Sequence, residues 1–329
     1  MDTLRFSRIC DDGQDATESR HRQSALAADR QPNLSAFDWI RVAAAFGVVT
    51  LHACVPYLKN PMPGLNWAVT DASSTVVDVT FWSIEVFIMP VFLVIAGILS
   101  WYSLSRRGPM ELFRSRTRRL GKPLLFGLVV ILPMDLYTWL CGWVFEEHIL
   151  PIKIKSLKIE GPLGEHLWGT GHLWFLGYLL SYVACLALAY HFWKHGFPFA
   201  TKKSRIESGS KFPRIPARIV LGCLTAIGVC VLTVRPEVVW GFQHAFAPVP
   251  SKWIYSATFF VGGVWLARQT GSLDRLKCHS PRLAMPSLLV LAATLMLGRW
   301  HLADHEPGTS TANIVAPALA ILTTVAAWS

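Results

Sequence analysis

Eight mostly apolar stretches, at about 37–57, 76–104, 123–145, 167–193, 218–235, 252–268, 283–302 and 310–329, alternate along the chain with polar segments. Each is roughly 18 residues or longer, and at about 1.5 Å of rise per residue such a helix crosses a hydrocarbon core of about 30 Å. The pattern predicts an all-α integral membrane protein, a polytopic bundle of about eight transmembrane helices. The first 36 residues are polar and contain no apolar core. They read as a flexible cytoplasmic tail rather than a cleaved signal, which leaves the first apolar stretch to act as the insertion signal. Residues 37–329 then form one transmembrane domain, without an internal repeat or a glycine-rich phosphate loop. Pro90 and Gly97 in the second helix and Pro133 in the third predict bends, where a missing backbone hydrogen bond is made good by a neighbour or by water.

Composition supports this reading, with 52% of the 329 residues hydrophobic, 16% charged, and fourteen tryptophans. A net charge of +10 would also suit a nucleic-acid partner, but the basic residues are not spread as that would require. They gather before residue 31 and in 106–122, 194–218 and 268–282, whereas alternate connections hold only scattered cations such as Lys59, Lys153, Lys252 and Arg299. This is the positive-inside bias, with the N-terminus and the even-numbered connections cytoplasmic, and it requires no nucleic acid. Seven scattered cysteines without a C-x-x-C pair predict neither a disulfide framework nor a zinc site.

One apolar stretch keeps charge. In "FDWIRVAAAFGVVTLHA", Arg41 and His52 lie eleven residues apart, which on an α-helix is three turns plus about 20° and a rise of about 16.5 Å. Both side chains therefore project from one face. Asp38, three residues before Arg41, can pair with it there. Ionisable groups inside a bilayer cost several kcal/mol and normally face the protein interior or a wet cavity, so the pair marks a candidate site.

These residues resemble the membrane-bound acyltransferase-3 family, whose first helix carries an arginine, ten residues and a histidine. Three further stretches resemble it in order: "FIMPVFLVIAGILS" at 87–100, "RTRRLGKPLLFG" at 116–127 and "GHLWFLGYLLSY" at 171–182. The last is most similar to the branch that includes glucan biosynthesis protein C. The resemblance implies an acyl-CoA donor in the cytoplasm, acetyl-CoA or succinyl-CoA, and a carbohydrate hydroxyl as acceptor beyond the outer face. It also implies a bacterial inner membrane and no permanently bound cofactor. Family members commonly have about ten helices, so the eight counted here read as either a shorter bundle or an incomplete ten-helix architecture.

The residues suit acyl transfer on their own chemistry. A hydroxyl attacking a thioester needs a base near neutral pKa, which imidazole supplies, and His52 is the candidate base or transient acyl carrier. Arg116 and Arg119, spaced i, i+3 in a basic segment, are candidates to grip CoA phosphates with forked hydrogen bonds. Glu85 and Asp135 are intramembrane carboxylates expected either to orient His52 or to contact the acceptor. His172 and Trp174 are candidates for a sugar site, the ring stacking and the imidazole bonding hydroxyls, although an interface anchor is the more ordinary reading of Trp174. The sequence leaves two rivals open, a proton-coupled transporter and a degenerate family member that only binds partners. It is silent on oligomeric state.

Overall fold

A computed structural model describes residues 34–65, 67–165, 168–195, 216–243, 245–269, 272–303 and 310–329. The expected flexible tail over 1–36 therefore lies almost wholly outside the described residues. The chain divides into two compact units, one up to Ala43 and one from Ala44 onward.

Among the described residues, eight long helical segments stand where the apolar pattern predicts them: α1 Leu34–Cys54, α2 Thr75–Arg107, α3 Pro109–Phe145, α4 Trp174–His195, α5 Ala217–Val234, α6 Pro250–Arg268, α7 Ser272–Ala303 and α8 Ser310–Trp328. Strands do not occur among the described residues. This is an all-α polytopic membrane protein. Five of the helices, α1 to α4 and α7, are long and apolar enough to cross a membrane, and α5 and α8 contain shorter apolar spans. In α6 the residues Tyr255, Ser256 and Thr258 are buried against other helices, so protein rather than lipid meets its polar groups.

Several boundaries move outward from the apolar core. α3 begins at Pro109 rather than 123, and α7 at Ser272 rather than 283, because helix formers with basic side chains continue each rod past its hydrocarbon-sized part. α2 ends on Arg106 and Arg107, followed by Gly108 at a φ of 82°. Only glycine adopts that left-handed geometry at no steric cost, and Pro109 then starts the next helix where its missing N–H is harmless. Within α3, two π-helical segments, Thr117–Gly121 and Gly127–Ile131, come just before Pro123 and Pro133. A proline ring has no N–H and crowds the preceding turn, and a locally wider turn relieves both problems. The bend expected at Pro133 thus takes the form of a change in helical winding.

The core of the second unit lies around α2 and α6, which approach backbone to backbone. A β-carbon added at Gly97 would run into the Phe260 carbonyl, and one added at Gly263 into that of Val94. Lipid tails are as apolar as leucine, so membrane helices associate through such close packing rather than through exclusion of water. Trp82 is fully buried and stacks on Trp240 at 4.8 Å between ring centroids.

Next to these rings is a polar knot absent from the sequence reading. Asp78, in the first turn of α2 and 0% exposed, accepts hydrogen bonds from the Asn60 backbone N–H at 2.8 Å and from its side-chain amide at 3.0 Å. Its other partner is the Arg299 guanidinium of α7, with Nε 3.2 Å from Oδ2. Arg299 and Lys252, expected near connecting loops, are both helical residues.

Candidate active site

His52 lies in the last turn of α1, half-buried, with both ring nitrogens engaged. Nδ1 is 2.7 Å from the carbonyl oxygen of Val48, one turn earlier. A carbonyl can only accept, so Nδ1 carries the hydrogen and the neutral ring keeps its lone pair on Nε2. That Nε2 is 3.2 Å from Nδ1 of His172, and the two rings meet edge to face, with centroids 4.5 Å apart and planes at 83°.

The second imidazole is delivered by a tight turn. Gly171, at a φ of 52°, opens a short 3₁₀ segment, Gly171–Leu173, which leads directly into α4. Its neighbour Thr170 is tied through N–H and hydroxyl to the Ala245 carbonyl, both at 3.3 Å. Leu173 rests against Gly127 of α3, where any side chain would collide with it. Further along α4, the Tyr178 hydroxyl accepts a hydrogen bond from the Val249 N–H at 2.8 Å, and the Tyr182 hydroxyl donates to the Trp253 carbonyl at 2.7 Å. The turn bearing His172 is thus fixed from both sides.

Both histidines line a cavity of about 450 Å³ whose wall is mostly aromatic and aliphatic. Glu85 from α2, Asp135 from α3, Trp174 from α4 and Lys252 from α6 line the same space. An apolar cavity with a few convergent polar groups is the usual form of a small-molecule site. The Lys252 ammonium lies 4.1 Å from the centroid of the Trp174 ring, a cation–π contact that holds the indole face in place. Among the described residues, no three histidine, cysteine, aspartate or glutamate side chains are arranged to hold a metal ion.

A family model described as an acyltransferase domain, that of acyltransferase 3, matches residues 34–329. The chain belongs to the acyltransferase-3 family. No curated protein and no solved structure matches it.

For an acyltransferase of this family, the cavity gathers five of the residues singled out in the sequence: His52, Glu85, Asp135, His172 and Trp174. The two nitrogens of His52 face the Val48 carbonyl and His172. Asp38 and Arg41 belong to the first unit, where Arg41 donates to Asp38 at 3.3 Å as expected, although both side chains are exposed. Arg116 and Arg119 are on α3 and do not line the cavity. Arg116 is half-buried, and Arg119 is exposed within the first π-helical segment. The wider π turn carries residue i+3 less far round the axis, so Arg119 falls short of the face an α-helix would give it.

Sequence reasoning missed Lys252 because it was counted among loop charges. A lysine two residues into a proline-started helix, followed by an aromatic run, was the available signal.

Proposed function

We propose that this acyltransferase moves an acetyl or succinyl group from cytoplasmic acyl-CoA to a hydroxyl of an extracytoplasmic carbohydrate at a bacterial inner membrane, as in the glucan biosynthesis protein C-like branch. The reading is supported above all by one observation: an imidazole whose Nδ1–H is pinned to a backbone carbonyl, placed in an aromatic cavity of a membrane acyltransferase. A neutral imidazole of fixed tautomer is the side chain that accepts a hydroxyl proton near neutral pH without large tuning.

In this reading the sugar stacks on cavity rings such as Trp174, while Glu85 and Asp135 accept hydrogen bonds from its hydroxyls. The imidazole site withdraws the proton of the attacking hydroxyl, its oxygen bonds to the thioester carbonyl carbon, and the carbon–sulfur bond breaks. CoA leaves as thiolate and recovers a proton. Arg116 and Arg119 hold the donor's phosphates with charge-assisted hydrogen bonds, and Arg41, set by Asp38, serves the donor's entry. Donor and acceptor are both substrates, so no permanently bound cofactor is required. His52 serves as base or as transient acyl carrier.

The test is release of free CoA thiol by purified, detergent-solubilised protein given acetyl-CoA or succinyl-CoA with a glucan acceptor. Consumption of one donor that depends on the acceptor is the expected result. Consumption of neither by folded protein, together with carbohydrate uptake into vesicles independent of acyl-CoA, would replace the enzyme with a carrier.

A further inference from the structure

We infer that Lys252 and Gln243 form a hydroxyl-binding subsite in the cavity, Lys252 donating to and Gln243 accepting from hydroxyl groups of one neutral carbohydrate acceptor. The inference rests on the acyl-transfer reading above and adds to it the residues that recognise the acceptor.

Lys252 occupies an unfavourable position. A helix N-terminus carries partial positive charge, so acidic side chains suit its first turn and a cation there is repelled. The first turn of α6 has no acidic residue and, in Lys252, a cation. The same ammonium lines a cavity whose wall is mostly apolar, where a charge leaves water behind. It rests on the face of Trp174, 4.1 Å from the centroid, and among the described residues it forms neither a salt bridge nor a hydrogen bond. An ammonium carries three N–H donors, and these are open to a ligand.

Gln243 has the complementary need. It lines the same cavity, and its Oε1 is buried without a donor among the described residues. Buried amide oxygens in folded proteins nearly always have one. The backbone leading to it is anchored, because Trp240 Nε1 donates to Thr323 Oγ1 at 3.1 Å and the Phe242 N–H donates to the Pro63 carbonyl at 2.8 Å. A hydroxyl both donates and accepts, so a polyhydroxyl ligand satisfies both side chains at once. A carboxylate, such as the free end of a succinyl group, would pair with Lys252 but has no proton for Gln243 Oε1, and it would share the cavity with Glu85 and Asp135. The geometry therefore assigns this subsite to the acceptor rather than to the acyl group.

The test uses full-length protein in detergent and a neutral glucan oligosaccharide as probe, with binding read by calorimetry in the absence of any donor. Lys252→Met and Gln243→Met keep the approximate length of each side chain and remove its polar end. Each should weaken glucan binding by about 10-fold or more and raise the KM for glucan alike, while the KM for the acyl-CoA donor stays within about threefold. Lys252→Arg, which keeps N–H donors over the Trp174 ring, should bind glucan within about threefold of wild type. In wild-type protein reductively methylated with ¹³C-formaldehyde, glucan should shift the Lys252 methyl signal, and succinate should leave it in place. Unchanged glucan affinity in both methionine variants, a rise in KM confined to succinyl-CoA, or a Lys252 signal that moves with succinate and not with glucan would each overturn the proposal. The methylation result holds even where a methionine variant fails to fold. Glucan bound through both residues by folded protein that consumes neither donor would reject the acyl-transfer reading instead, so the two failures are distinguishable.

Discussion

Asp78 shows how much a single residue carries in this fold. It is wholly buried, bonded twice by Asn60, and paired with Arg299 at 3.2 Å, so it joins the start of α2 to the segment after α1 and to α7. Removing one partner of such a pair leaves the other charge uncompensated, at a cost of about 3–5 kcal/mol, whereas replacing both with apolar side chains is often neutral. Asp78→Ala should therefore lower the melting temperature in detergent markedly, and Asp78→Leu combined with Arg299→Met should recover most of the loss. A double variant as unstable as the single one would show that the knot acts through Asn60 instead. At this scale the sequence was informative where a residue was out of place. His52 stands out because imidazole is rare inside an apolar run, and His172 because it opens an aromatic helix. Val48 was invisible, since its contribution is a backbone carbonyl that any residue supplies, and Asp78 and Arg299 are 221 positions apart.

Among the helices, the contact of α2 with α6 is decided by small residues. Gly97 and Gly263 each face a carbonyl of the other helix, so Gly97→Ala must push the pair apart. Overpacking of this kind costs about 1–3 kcal/mol. Because both helices supply cavity residues, turnover should fall together with thermal stability. Gly177→Ala, on α4 with open space beside it, should change neither by a measurable amount. Equal behaviour of the two variants in a thermal melt would refute the close-approach account. Helix positions were legible because an apolar run of membrane length has few alternatives. Their ends were not, because basic and polar residues continue a helix as readily as they leave it, as at Pro109 and Ser272. Nor did hydropathy separate α6, whose Tyr255, Ser256 and Thr258 are buried inside the protein, from the helices long and apolar enough to cross a membrane.

The whole molecule is a membrane acyltransferase with an aromatic cavity whose described lining includes two imidazoles, two carboxylates and an ammonium. In the proposed function the basic connections face the cytoplasm, where acyl-CoA arrives, and the cavity takes a polyhydroxyl acceptor. In that same proposal, what joins these halves is transfer of the acyl group itself, with His52 at the end of α1 as its base or transient carrier. The most direct measurement is the mass of the acceptor glucan after incubation with acyl-CoA and purified protein, wild type beside His52→Ala of equal melting temperature. The account predicts acyl-mass additions with wild type and none with the variant. Acylated glucan formed at the same rate by both would contradict it.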